Sequence, residues 1–189
     1  MWRESRMGKI LEVLEMSKVY RSKFEAYPFL CDGLDDLRCD FELLTDEVSS
    51  MTGHLAAVVS DQMLKGELLF VCELVYHINP SLRTKTTVTK DELDKLERIV
   101  NRLHGEVDER CNLFVLPRGS ETGSLAHILR VKCKSLVRLL YRHLHQDHQV
   151  DEILFDFTNL LSGYFFLLAL KLNALEGVDE VAYVSRNYK

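Results

Sequence analysis

Proline and glycine are scarce: 189 residues hold only 3 Pro and 9 Gly. So few chain breakers exclude a low-complexity or collagen-like chain and favour long uninterrupted helices. A basic excess is missing as well. With 24 Lys and Arg against 29 Asp and Glu, the net charge is −5, so no broad positive field exists to hold nucleic acid or an anionic membrane. The five cysteines, Cys31, Cys39, Cys72, Cys111 and Cys133, are odd in number and form no C-x-x-C pair. Neither a disulfide framework nor a structural zinc site is therefore expected, and a reducing, cytoplasmic setting fits. The longest uncharged run, Phe157 to Leu170, is shorter than the about 20 residues a membrane span needs, and predicts a buried core helix. The opening MWRESRMGKILEVLE carries early acidic residues and does not read as a signal or transit peptide.

What the chain does have is apolar residues, 47% of the total, set among 28% charged ones. This is enough to bury the core of one domain of ordinary size. The spacing predicts helices and no strands. A first helix is expected from about Arg3 to Lys23, followed by a break at YPFLCDGLDD (27–36). Asp35 or Asp36 suits the start of the next helix, along which Leu37, Phe41, Leu44, Val48, Met51 and Leu55 recur at three and four residues. A third helix spans about Gly66 to His77. A loop, SLRTKTTVT, leads to Thr89 and Glu92, spaced as a capping box. Two more helices follow, from about Glu121 to His143 and from about Val150 to Ala174. The last is apolar on nearly every side and belongs at the centre of the bundle or at a subunit contact. The expected fold is an all-α, up-down bundle of five or six helices. Its parts would be an N-terminal helix and linker (1–33), the bundle (34–176) and a C-terminal tail (177–189).

Motifs for nucleophilic, P-loop or zinc-protease chemistry are missing. His143, His145 and His148, with Asp147 nearby, suggest a metal, but no cysteine accompanies them and they fall at an expected turn. They read as solvated loop histidines. Cys133, six residues past His127, has no third orienting group.

Three ordered blocks carry a likeness. They are LLTDEVSSMTGHLAAV (43–58), FVLPRGSETGSLAHILRVKCKSLVR (114–138) and FTNLLSGYFFLLALKLN (157–173). Together they resemble the PduO-type ATP:cob(I)alamin adenosyltransferases and the related EutT enzymes. The resemblance implies a helical bundle that assembles as a homotrimer with sites between subunits. Its implied reaction is attack of cobalt(I) on the ribose 5′ carbon of ATP, with Mg²⁺ neutralising the triphosphate and cobalamin as substrate. By position, Asp46 matches a carboxylate that pairs with the arginine matched by Arg130. Lys134 and Arg138 fall in the phosphate-binding cluster, and Asn159 matches an asparagine near the nucleotide. Phe114 matches the aromatic that helps exclude the lower corrin ligand, and Gly119 and Ser120 lie in the turn expected to face phosphate or corrin.

The departures are equally concrete. Nothing in residues 1–40 resembles the family's T-x-T-G-D-x-G-x-T phosphate loop. Ser135 stands for an arginine, Val137 for a glutamate, Leu160 for an arginine and Gly163 for an aspartate. They motivate an alternative, a catalytically degenerate member that serves as a corrinoid-binding protein or scaffold.

Overall fold

The computed structural model describes residues 20–112 and 114–187. Among these, five helices form: α1 (Leu37–Val58), α2 (Gln62–Ile78), α3 (Lys90–Val107), α4 (Glu121–Leu144) and α5 (Glu152–Leu175). Each begins on a polar cap. The side chains of Asp36, Asp61, Thr89, Ser120 and Asp151 accept backbone N–H groups of the first turn, satisfying donors that the helix itself leaves unpaired. At Thr89 the capping box is complete, with Glu92 accepting from the Thr89 amide at 2.7 Å. The helix expected near Arg3–Lys23 lies mostly outside the described residues, and residues 20–23, its described part, are not helical. Helix α2 starts four residues before Gly66 because Asp61 caps it, a signal the apolar periodicity alone does not carry.

The helices pack in the spatial order α2, α1, α4, α5, α3. The short connections 59–61 and 145–151 make α1 and α2, and α4 and α5, antiparallel neighbours, as in other up-down bundles. Helix α5, the most apolar, runs between α4 and α3 and supplies the fully buried Phe157, Tyr164 and Phe165. By length and composition α5 could cross a membrane, but 56% of its most apolar window is buried inside the bundle. That is the burial of a core helix.

At the end of the bundle where α1 begins and α2 stops, a polar clamp fastens the segment 27–36. Glu42, 4% exposed, accepts from Arg83 Nε at 2.6 Å and from Nη2 at 2.9 Å. Arg83 also reaches Asp32 at 3.0 Å, and its guanidinium lies 3.6 Å over the Phe29 ring. Burial, then a hydrogen bond to Glu42, pushes the Tyr27 phenol up.

At the opposite end the tail returns to the loop between α3 and α4. Val115 and Ala182 form an isolated antiparallel bridge. The Leu116 amide donates to the Val181 carbonyl at 2.8 Å, and the Tyr183 amide to the Phe114 carbonyl at 2.7 Å. The tail thus holds in place the loop that carries Phe114.

Candidate functional site

That loop roofs a cavity of about 470 Å³ between α4 and α5, lined by Cys111, Phe114, Val115, His127, Arg130, Lys134, Ser162, Gly163 and Phe166 among others. The size is that of an ordinary small-ligand site. Helix α4 supplies the polar wall: His127, Arg130 and Lys134 fall three and four residues apart and share one face. Helix α5 supplies Ser162, Gly163 and Phe166 opposite. Phe114 is 86% exposed, an aromatic ring held at the mouth of a cavity instead of in the core. An exposed aromatic beside two cations marks a binding surface more than a folding element.

Arg130 is only partly satisfied. Its Nε is buried with no hydrogen-bond partner among the described residues, and its guanidinium carbon lies 6.0 Å from the Phe166 ring centre. Among the described residues it has no carboxylate within salt-bridge distance. Asp46 is exposed on α1, where its only described hydrogen bond comes from the Ser50 hydroxyl at 3.4 Å. Within one chain the structure therefore brings Phe114, Arg130 and Lys134 together and leaves Asp46 apart from them.

Residues 35–172, most of the chain, match the sequence model of the cobalamin adenosyltransferases. The chain belongs to the cobalamin adenosyltransferase family. The family is named for transfer of an adenosyl group to cobalamin. A corrinoid adenosyltransferase of Bacillus subtilis (strain 168) is 29% identical over 158 residues, covering 79% of this chain and 81% of that one. Two solved structures share the fold. A phenylalanine-to-histidine variant of a PduO-type ATP:corrinoid adenosyltransferase from Lactobacillus reuteri, complexed with cobalamin and ATP, aligns with TM-score 0.70 and 24% identity over 82% of this chain and 87% of that one. An arginine-to-lysine variant from the same organism, complexed with ATP, aligns with TM-score 0.69 and 24% identity over 79% and 88%.

The other positions singled out by the adenosyltransferase likeness do not line this cavity. Asn159 is exposed, donates to the Phe155 carbonyl at 2.9 Å, and lines a neighbouring cavity that shares Gly163 with the first. Arg138 is exposed one turn beyond Lys134. Ser120 faces inward: its amide donates to Asn173 Oδ1 at 2.9 Å and its hydroxyl to the same oxygen at 3.2 Å. Gly119 sits against that side chain, and a Cβ there would meet Asn173 Oδ1 at 2.1 Å. The turn is thus built around Asn173, which also donates to Glu180 at 3.3 Å, and Glu180 in turn binds Arg110 at 2.6 Å. This polar hub joins α5, the tail and the loop bearing Phe114. Asn173 is fully buried near the end of an apolar helix, a position that in the sequence reads only as an interruption of the leucines.

His127 and His143 are the other residues to which the linear sequence gave no site. His143, placed in the last turn of α4, is 4% exposed and stacks on His148 with ring centres 4.4 Å apart. It is a core residue, not a loop one. Burial, then the repulsion of His148, holds its pKa below the ordinary imidazole value, while burial, then Arg130, does the same for His127. The native protein therefore binds these protons less tightly than the unfolded chain. On acidification the unfolded chain takes them up first, so native stability falls as pH drops through about 6.5. Urea midpoints measured from about pH 7.5 to 5 should decline, and the decline should be shallower in His143→Gln.

Proposed function

We propose that the α4–α5 cavity is where ATP and cob(I)alamin meet, with Arg130 and Lys134 receiving the triphosphate and Phe114 standing behind the corrin. The observation that carries this reading is the convergence of two cations and an outward-facing aromatic on one cavity. In the reaction the cobalt(I) electron pair forms the cobalt–carbon bond to the ribose 5′ carbon. The carbon–oxygen bond to triphosphate breaks, triphosphate leaves with the electron pair of that broken bond, and cobalt ends as cobalt(III). The protein transfers no proton. Its tasks are alignment and stabilisation of charge on the leaving group. Arg130 and Lys134 suit the second task, and the apolar surface of Phe114 and Phe166 suits the first by keeping water from the cobalt. Asn159 and Arg138 would contact the nucleotide from the adjoining surface.

Mg²⁺ is assigned no protein ligands. Among the described residues, no group of three His, Cys, Asp or Glu could hold a metal, and the cavity wall is cationic. The ion would arrive with the triphosphate.

The active assembly in this reading is a homotrimer in the cytoplasm, where five free thiols persist. An outward strip on α4 supports assembly: Ile128 and Val131 are about half exposed, as is Leu43 on α1 close to Asp46. Pairing of Asp46 with Arg130 would then be made between copies. The direct test is formation of adenosylcobalamin from reduced cobalamin and Mg-ATP, followed by its absorbance. Absence of product, with no heat of ATP binding, would favour the scaffold reading.

Lys134 offers a graded check. A lysine is a point charge where arginine presents a fork, so Lys134→Arg should bind ATP at least as tightly as the natural chain. Lys134→Ala should raise the KM for ATP by about 10- to 100-fold, a loss of about 1.4–3 kcal/mol of charge-assisted bonding.

A further inference from the structure

We propose that His127 is a substrate-binding residue whose imidazole hydrogen-bonds a ribose hydroxyl of ATP; the inference rests on the adenosyl-transfer reading and deepens it. The ring is only 3% exposed, yet among the described residues neither Nδ1 nor Nε2 has a hydrogen-bond partner. Two unmet polar atoms in a buried ring are costly, and native proteins rarely leave them so without a ligand or water to meet them. The ring also borders the cavity, so the missing partner can come from a ligand. Its aromatic neighbour, Phe166, lies 6.4 Å away centre to centre and offers no lone pair or polar hydrogen.

The chemistry of the wall selects the partner. Arg130 and Lys134 already provide positive charge for phosphate. Burial and the Arg130 charge keep His127 neutral, leaving one N–H donor and one bare nitrogen acceptor. A hydroxyl, which donates and accepts, complements that pair. A phosphate oxygen, which only accepts, would leave the bare nitrogen unmet. Along α4, His127 stands about 10 Å from Lys134, and the ribose is the neutral, hydroxyl-bearing part of ATP that carries the reacting carbon. The position is therefore that of a ribose anchor.

Calorimetry with Mg-ATP and its 2′-deoxy and 3′-deoxy analogues separates a ligand contact from a packing role. The natural chain should bind ATP about 10- to 100-fold more tightly than at least one analogue. His127→Leu should bind ATP more weakly by a similar factor and lose the discrimination. Its melting temperature should equal or exceed the natural one, because two unmet polar atoms are removed. His127→Gln, which keeps a donor and an acceptor, should recover part of the affinity. Retention of full discrimination by His127→Leu overturns the proposal, as does weak binding that simply tracks a lowered melting temperature with no recovery in His127→Gln. Adenosylcobalamin formation is followed in parallel. Discrimination without product keeps the ribose contact and removes the adenosyl-transfer reading, whereas failure of the natural chain to bind Mg-ATP removes both.

Discussion

Arg83→Ala is expected to lower the free energy of unfolding by about 3–5 kcal/mol, the usual cost of leaving a buried charge without its partner. Arg83 bridges Asp32 and Glu42, and Glu42 is 4% exposed while Asp32 retains some contact with water. Removing the guanidinium strands the Glu42 carboxylate and also uncovers the Phe29 ring on which the guanidinium lies. Urea unfolding followed by circular dichroism would read the loss. Two controls tie it to charge. Combining Arg83→Met with Glu42→Met removes both charges and should recover most of the stability, since apolar replacements of buried pairs are often neutral. Lowering the pH to about 4 should narrow the deficit of Arg83→Ala, because a stranded buried carboxylate binds its proton more readily than the unfolded one. A deficit that stays constant with pH and persists in the double variant would assign the loss to packing alone. Asp32→Ala should cost far less, about 0–1 kcal/mol, as partly exposed pairs do.

Helix positions were legible in the sequence because they follow from local physics. The three-and-four spacing from Leu37 to Leu55 places α1, and Thr89 with Glu92 marks the start of α3 through a bond pattern that needs only four residues. Phe114, Arg130 and Lys134 were legible through the resemblance, and the structure gathers them at one cavity. Residues whose meaning depends on a distant partner were not legible. Glu42 falls at a position that reads as an ordinary exposed acid until Arg83, far along the chain, closes on it. Asn173 joins Ser120, Glu180 and the Arg118 carbonyl across more than one element. His127 could have been noticed as sharing a helix face with Arg130 and Lys134. Its unmet nitrogens, however, exist only once α5 has packed against that face. Periodicity reports which face is buried, not whether a buried polar atom finds a partner there.

Mixing two crippled variants should restore activity. Arg130→Ala is expected to reduce kcat/KM by about 10²–10³, the loss typical of removing one donor aimed at developing charge. Asp46→Ala is expected to reduce it by about 10–100-fold, since its carboxylate would orient and neutralise Arg130 across an interface. Within a single chain the two are not paired: Asp46 accepts from Ser50 on α1, while Arg130 Nε is buried at the α4–α5 cavity with no partner among the described residues. If the pair forms between copies, a chain carrying Asp46→Ala still offers an intact Arg130, and a chain carrying Arg130→Ala still offers an intact Asp46. Random co-assembly in equal amounts then regenerates about a quarter of the interfaces with both groups present, because each of two independent choices succeeds half the time in a closed cyclic oligomer. Co-expressed variants should therefore show about a quarter of the natural activity, far above either variant alone. A pair confined to one chain gives no recovery, since no chain in the mixture carries both residues. Adenosylcobalamin formation by the purified mixture, beside each variant purified separately, distinguishes the two arrangements without requiring a ligand-bound structure. A recovery that vanishes on dilution and returns on concentration would further tie it to subunit association, because an interface-built site exists only in the assembled fraction.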